Sequence, residues 1–398
     1  MDLDVITIGG GLGGSTLASA VARSGRSVLV LERERAFKDR VRGENMLPWG
    51  VAVARRLGVV DDLLAAGAHQ VPFFNTYFMG TQMEHRPFPM TTPSGEASLN
   101  MYHPDLQETL LAGAANAGAE VRRGADVQSI AEQDGGWKVT FGENEETRSI
   151  TARLVVGADG RFSRMRHMGG FTVRRDPEYL RIAGTRVEGT KVPNDGVHLC
   201  LGPGFATFMV PLGNGRARVY FIYMGALGDR KLSGKAKVGE FLDGCRATNV
   251  PSAWFDGVSV VGPLAEFEGA DHWVPAPSKP GLALIGDAAG ATDPSWGCGL
   301  SKTLVDVETL ATQLAATEDW NAALQRYAAM HDDYFGKLHD ILSWMTMLIW
   351  SGGPEADARR ARVFPRMQQD PTGFPDPSGQ GPFGPCDERA RRLVLGEE

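Results

Sequence analysis

Cysteine is scarce in this chain. Its four cysteines, Cys200, Cys245, Cys298 and Cys386, are far apart and form no Cys-x-x-Cys pair, which excludes a zinc ribbon, argues against a disulfide framework and leaves free thiols. No metal site is expected. A basic excess is also missing. The formal net charge of −7 disfavours nucleic acid or an anionic membrane as the main partner, because both require basic surface. Long apolar runs are absent too. The most apolar stretch, Ile341-Leu342-Ser343-Trp344-Met345-Thr346-Met347-Leu348-Ile349-Trp350, is about half the roughly 20 residues of a membrane-spanning helix and suits a buried or interface helix. The N-terminus shows no charged region, apolar core and cleavage site in succession, so a cytoplasmic location is expected.

What is present is an ordinary globular balance, 42% hydrophobic and 22% charged over 398 residues. That is more than one core usually organises, so two intertwined domains are expected. Asp4-Val5-Ile6-Thr7-Ile8 reads as a buried parallel strand. Gly9-Gly10-Gly11-Leu12-Gly13-Gly14 follows, and Ser15 to Arg23 continues as a helix. In that order Gly9 allows the tight turn, Gly11 and Gly13 let backbone approach a pyrophosphate, and Gly14 lets helix and strand pack closely. A second strand, Ser27 to Leu31, ends at Glu32 and Arg33. Glu32 comes 18 residues after Gly14, close to the offset of the acid that accepts hydrogen bonds from an adenosine ribose. An acid there favours FAD or NAD over NADP.

Two further segments complete a pattern. Gly157-Ala158-Asp159-Gly160 and Gly286-Asp287-Ala288-Ala289-Gly290 each end a strand, and the second runs on to Pro294, Gly297 and Gly299, which open a helix from about Leu300 to Thr317. A carboxylate at a strand's carboxyl end can lie beside a polyhydroxy chain, and an open helix N-terminus can stabilise negative charge on a reduced flavin. The three segments together specify a flavin dinucleotide. The predicted fold is α/β, with residues 1–70, 101–170 and 271–345 forming a discontinuous Rossmann-like FAD-binding domain of glutathione reductase type. Residues 71–100 and 171–270, rich in alternating segments such as 206–210 and 217–223, are expected to form an inserted antiparallel substrate sheet. A C-terminal helical segment precedes residues 346–398, where Pro, Gly and charge predict a surface-packed tail with few helices of its own.

The motifs resemble those of the single-component FAD-dependent monooxygenases, the p-hydroxybenzoate hydroxylase-like group A enzymes, with features shared by flavin halogenases and geranylgeranyl reductases. The resemblance covers residues 1 to about 345. Gly157 to Arg166 resembles the second fingerprint, which implies Asp159 near the FAD pyrophosphate, and Gly286-Asp287 the third, which implies Asp287 on the ribityl chain. Arg42 matches the arginine placed after the first βαβ unit to contact the flavin. Arg42-Gly43-Glu44 with Leu47-Pro48 is more like the halogenase and reductase branches. His103 falls where the hydroxylases have Arg or Gln beside the flavin, with Gln107 an alternative contact. Gly290 stands where the hydroxylases have His, and Ser301 where they have Asn. Cys298 is not assigned a catalytic role.

The resemblance implies that NADPH or NADH reduces FAD and that O2 then gives a C4a-hydroperoxide, which hydroxylates or epoxidises an aromatic or polycyclic small molecule, in keeping with secondary metabolism. Alternation and position suggest Phe73, Tyr77, Phe208, Tyr220, Tyr223 and Trp296 as substrate-pocket residues, while no general base is evident. A geranylgeranyl reductase-like enzyme, a flavin halogenase and a non-catalytic redox sensor are the alternatives; the halogenase Trp-x-Trp-x-Ile-Pro segment is absent from the sequence. A monomer or a homodimer is expected.

Overall fold

The structure, a computed structural model, describes residues 1–225 and 231–398, so residues 226–230 of the inserted segment lie outside it. The chain opens with strand Leu3–Ile8 (β1), helix Leu12–Arg23 (α1) and strand Val28–Glu32 (β2). β1 lies inside a sheet ordered Ser278–Lys279, Leu282–Leu284, Glu146–Gly157, β1, β2, Glu120–Arg123. Neighbours in this order pair in parallel except the short edge strand Ser278–Lys279, while Asp126–Gln133 and Gly136–Glu143 extend the same sheet in antiparallel. Layers on both faces explain why these strands read as continuous apolar runs. One layer sets Leu17, Ala18 and Val21 of α1 with Leu111, Leu310 and Tyr327. The other sets Ile6, Ile8, Leu29 and Leu31 against Val127, Val139 and Phe141 of a β-hairpin.

The strand Glu146–Gly157 serves three partners, Leu282–Leu284 among them. Its first part pairs antiparallel with Gly136–Glu143, and its second part pairs in parallel with β1. The carboxyl ends of β1, β2, Glu146–Gly157 and Leu282–Leu284 therefore emerge on one edge, and the loops beginning at Gly9, Arg33, Ala158 and Ile285 gather there. Such an edge is where open α/β sheets bind ligands.

The inserted segment builds a second sheet ordered Ser259–Val260, Leu180–Glu188, Arg216–Met224, Phe205–Pro211, Gly196–Gly202, Phe73–Phe78, Thr81–Pro87, with Ala265–Gly269 also on Leu180–Glu188. It is mixed rather than wholly antiparallel, because Gly196–Gly202 and Phe73–Phe78 pair in parallel. Those two strands come from distant parts of the chain, and side-chain alternation carries no information on strand direction. One face presents Ile182, Ala206, Val210, Tyr220 and Ile222. The opposite face presents Met209 and Tyr223 to Phe241 and Cys245 of the helix Val238–Arg246.

The tail also departs from expectation. After the 30-residue helix Trp320–Ile349, the helices Pro354–Gln369 and Glu388–Leu395 follow. Both are rich in charge, and Pro365 lies inside the first; this composition hides them. Their buried Val363 and Val394 pack on Ile341, Met345 and Leu348. Between them the chain is fastened by the Trp49 indole N–H, 3.1 Å from the Pro377 carbonyl oxygen, and by Arg86 and Asp376 at 2.6 Å. Among the described residues no helix is long and apolar enough to cross a membrane.

Candidate functional site

A cavity of about 430 Å3 runs from the glycine turn to the second sheet. Gly9, Gly11, Gly13, Glu32, Arg33, Arg42, Gln107, Asp159, Asp287, Pro294, Gly297 and Gly299 all line it. Gly14 lies just behind, where a Cβ would come within 1.9 Å of the Gly9 carbonyl oxygen. Its absence of side chain is a packing requirement. Gly9 has φ +103°, and a Cβ there would lie 2.5 Å from the Ala158 carbonyl oxygen.

Two helix N-termini open on this cavity. α1 is preceded by Gly11 and the helix Gly299–Ala315 by Cys298, and neither has a side-chain cap. Their first-turn N–H groups are thus unsatisfied donors beside a cavity, the arrangement that binds phosphate and other anions. The carboxylates are positioned by backbone. Glu32 accepts from Gly10 N at 2.6 Å and Glu34 N at 2.7 Å. Asp159 accepts from Arg164 N at 2.7 Å and Met165 N at 3.1 Å through one oxygen, while its Oδ1 has no partner among the described residues. The half-buried Arg42 guanidinium lies between the Phe162 and Phe267 rings, 6.0 and 5.6 Å from their centroids. Desolvation lowers its pKa, and Asp287 opposes that shift. Open N–H donors, an unpartnered carboxylate oxygen and a turn that tolerates no Cβ all fit FAD.

Several residues that sequence reasoning missed hold the Asp287 turn. Lys302 is almost fully buried; its Nζ donates to the carbonyls of Gly286 at 2.8 Å and Gly290 at 2.6 Å, and lies 3.0 Å from Asp306 Oδ2. Asp306 accepts from Gly286 N at 2.6 Å and from the Tyr334 hydroxyl. Arg166 Nε donates to Ala288 O at 2.8 Å, and its Nη2 donates to Asp287 O. The signal available was a Lys/Asp pair at i, i+4 on the packed side of a helix, where charge is rare unless paired.

The departures from the hydroxylase pattern have packing causes. A Cβ on Gly290 would lie 2.6 Å from the Phe335 ring, so the long helix occupies the space a histidine would need. Ser301 packs against Gly50, whose Cβ would come within 2.2 Å of its Oγ, and that Oγ accepts from Leu47 N at 3.0 Å. Cys298 is buried, and burial pushes its thiol up, away from the reactive thiolate.

The proposed substrate residues divide. Phe208 and Tyr220 line the cavity with Ile182, Val210 and Phe267. Phe73, Tyr77, Tyr223 and Trp296 do not. Phe73 stacks on His85 at 4.2 Å, Tyr77 packs on Trp254 at 5.9 Å, and Tyr223 packs on Phe221 and donates to Glu266 at 2.6 Å on the far face. Tyr223 lies an odd number of residues from Tyr220, so one strand cannot aim both at one cavity. The Trp296 indole donates to Thr346 Oγ1 at 3.0 Å, which turns it into the packing beneath the long helix. Three polar groups that were given no substrate role, Glu44, Asn45 and His103, line the cavity instead.

Fold and site together define a flavin dinucleotide-binding protein. The chain belongs to the FAD binding domain family, which matches residues 2–334, and its cofactor is FAD. Kynurenine 3-monooxygenase of Salinispora tropica is 27% identical over 401 residues, covering 91% of this chain and 85% of that protein. Rifampicin monooxygenase of Streptomyces venezuelae is 29% identical over 79% of this chain and 64% of its own length. Squalene monooxygenase of Rattus norvegicus is 25% identical over 83% of this chain. The chain spans 56% of that relative and about a third of the mouse and Arabidopsis thaliana squalene-oxidising relatives, at 34% and 32%. Among solved structures, p-nitrophenol 4-monooxygenase from Pseudomonas putida superposes with a TM-score of 0.80 at 21% identity, covering 92% of this chain and 94% of the other. A flavin-dependent brominase superposes at 0.77 and 16% identity, covering 99% and 93%. These two likenesses bear on the fold alone.

Proposed function

We propose that the protein is an FAD-dependent monooxygenase, an oxidoreductase that uses NADPH or NADH and O2 to hydroxylate or epoxidise an aromatic or polycyclic small molecule. The observation that carries this reading is the continuity of the cavity, whose cofactor-binding end leads without a break to a wall of Ile182, Phe208, Val210, Tyr220 and Phe267. FAD, when bound, supplies the hydride acceptance and oxygen chemistry. The chain's own residues bind and orient it through the glycine turn, Asp159 and Asp287, and the apolar wall excludes water and holds a substrate carbon. The monooxygenases among the relatives support the reading.

A second reading, an alkene-saturating flavin reductase, is favoured by Gly290 and by digeranylgeranylglycerophospholipid reductase 1 of Methanococcoides burtonii, 26% identical over 84% of this chain and 80% of that protein. The halogenase reading receives less support. Lys38 is the lysine that lines the cavity among the described residues, and it is paired with Glu34 at 2.8 Å, while Lys302 is spent on backbone carbonyls. The two main readings separate on oxygen. With NADPH or NADH and an aromatic ligand, a monooxygenase couples oxygen consumption to an oxygenated product. Ligand-dependent turnover that proceeds without oxygen and yields a saturated product would favour the reductase.

A further inference from the structure

Away from the cavity, three elements distant in sequence bring metal-binding atoms together. Asp176 follows the edge strand Arg174–Arg175, Asp271 precedes the strand His272–Trp273, and His339 lies on the long helix Trp320–Ile349. One ligand atom from each lies within 4.8 Å of the others, and His339 Nε2 is 2.7 Å from Asp176 Oδ2. Two donors on one ion at tetrahedral or octahedral angles stand roughly 3.0–3.4 Å apart, so that pair is already close to the spacing an ion imposes. None of the three residues lines the cavity. The scarcity of cysteine speaks against a thiolate site and leaves open one built from oxygen and imidazole.

The charge around these atoms calls for a cation. Asp271 has Asp176 and Asp293 as carboxylate neighbours, and His339 faces Asp340 on its other side, with Nδ1 3.7 Å from Oδ1. Among the described residues none of these carboxylates forms an ion pair with a Lys or Arg, and the histidine that pairs with Asp176 and Asp340 is charged only when protonated. Arg161, which stands near Asp293, spends its donors on the carbonyl oxygens of Thr292, Glu268 and Ala270. Asp271 is 6% exposed; its Oδ1 accepts from Asp293 N at 2.5 Å, and no hydrogen bond reaches its Oδ2 among the described residues. A buried carboxylate oxygen without a partner is costly. Without an ion the excess charge is relieved by a proton on Asp271, which burial and then the neighbouring carboxylates push up to about 7. His339 is held as a ligand: the Trp273 ring packs on it at 5.0 Å and Asp340 faces Nδ1, which leaves Nε2 for an ion.

We infer that Asp176, Asp271 and His339 form a binding site for a divalent transition-metal ion of the Zn2+ or Mn2+ kind, completed by water, that clips the strands 174–175 and 272–273 to the long helix. Two carboxylates and an imidazole suit ions that accept both oxygen and nitrogen, rather than Mg2+ or Ca2+, which take oxygen. Asp271 also holds Asp293 N, between the cavity-lining Thr292 and Pro294, so the ion steadies the loop at the cofactor end of the cavity. Its role is structural, whichever reaction the flavin serves.

The test strips the FAD-loaded protein of metal with a chelator, then titrates it with Mn2+, reading bound ion from the loss of the free-ion electron paramagnetic resonance signal, and with Zn2+, reading Tm. One saturable site per chain is expected, with Tm rising by about 3 °C at an ion concentration about a hundredfold above Kd. Asp271→Asn keeps the acceptor for Asp293 N, and His339→Phe keeps a ring against Trp273. Each is expected to weaken Mn2+ binding by about tenfold or more and to remove most of the Tm rise. Asp176→Asn, at a half-buried position, decides if either of those variants does not fold. Mg2+ is expected to bind the parent about tenfold or more weakly than Mn2+ does. No saturable uptake, uptake undiminished in the variants, uptake that leaves Tm unchanged, or Mg2+ bound as tightly as Mn2+ overturns the proposal.

Discussion

Asp287 shows how a single side chain depends on its setting. Its turn is clamped through main-chain atoms by Lys302, Asp306 and Arg166, and the carboxylate is left to face the cavity. Replacing it by alanine removes a charged acceptor without touching the clamp. Asp287→Ala is therefore expected to weaken FAD binding about ten- to a hundredfold, read by titrating the apoprotein with FAD, while circular dichroism stays unchanged. Normal flavin affinity would remove Asp287 from the site. Residues whose role is dictated by backbone were legible in the sequence, because no other type fits the Gly9 and Gly14 positions. Aromatic roles were legible only in part. Period-2 alternation separates Tyr220 from Tyr223, but which face meets the cavity is decided by how the second sheet docks, and no local pattern encodes that. Glu44 and His103 were visible as motif departures, yet Arg218, which holds Glu44, lies far along the chain.

At the scale of elements, the helix Gly299–Ala315 is bound to the turn before it by a buried ion pair. Lys302→Met leaves Asp306 charged and without its cation, and is expected to cost about 3–5 kcal/mol of stability, measured as a lower urea midpoint; a loss within experimental error would show that the clamp is not structural. A second element-level consequence concerns pH. Asp271 accepts from Asp293 N at 2.5 Å beneath the loop that leads to Pro294. Burial first, then the neighbouring Asp293 and Asp176 carboxylates, pushes its pKa from 3.8 up to about 7. Between those values the folded protein holds a proton that the unfolded chain has released, so this group's contribution is lost as pH rises through the window. His272 runs the other way. Burial, then Arg161 and Arg166, pulls it from 6.5 down to about 4, and its stability, present above 6.5, is lost as pH falls toward 4. Asp271→Asn keeps the acceptor and removes only the first slope. Its Tm relative to the parent is expected to rise from pH 4 to pH 7; a difference that stays flat would contradict the assignment. Strand and helix positions near the glycine motifs were legible because each motif sits at an element boundary. The parallel pairing of Gly196–Gly202 with Phe73–Phe78 and the charged tail helices were not, since one depends on long-range topology and the other on sparse apolar contacts.

For the whole molecule, the order of the three motifs was enough to imply the cofactor, because a flavin dinucleotide spans several loops of one sheet edge and each loop leaves its own residues in the sequence. The proposed substrate end leaves no such trace. It is made where two sheets meet, from Ile182, Phe208, Val210 and Tyr220 on one side and Arg42 to Asn45 on the other, and its chemistry exists only in that meeting. On the function proposed above, this junction would hold an aromatic molecule within reach of FAD, which would supply the oxygen chemistry. The most direct measurement is turnover of the holoprotein with NADPH or NADH under isotopically heavy O2, with the product read by mass spectrometry. Incorporation of one heavy oxygen atom per product, in step with nicotinamide consumed, is the expected result; a product formed at the same rate without oxygen, carrying no heavy atom, would contradict it.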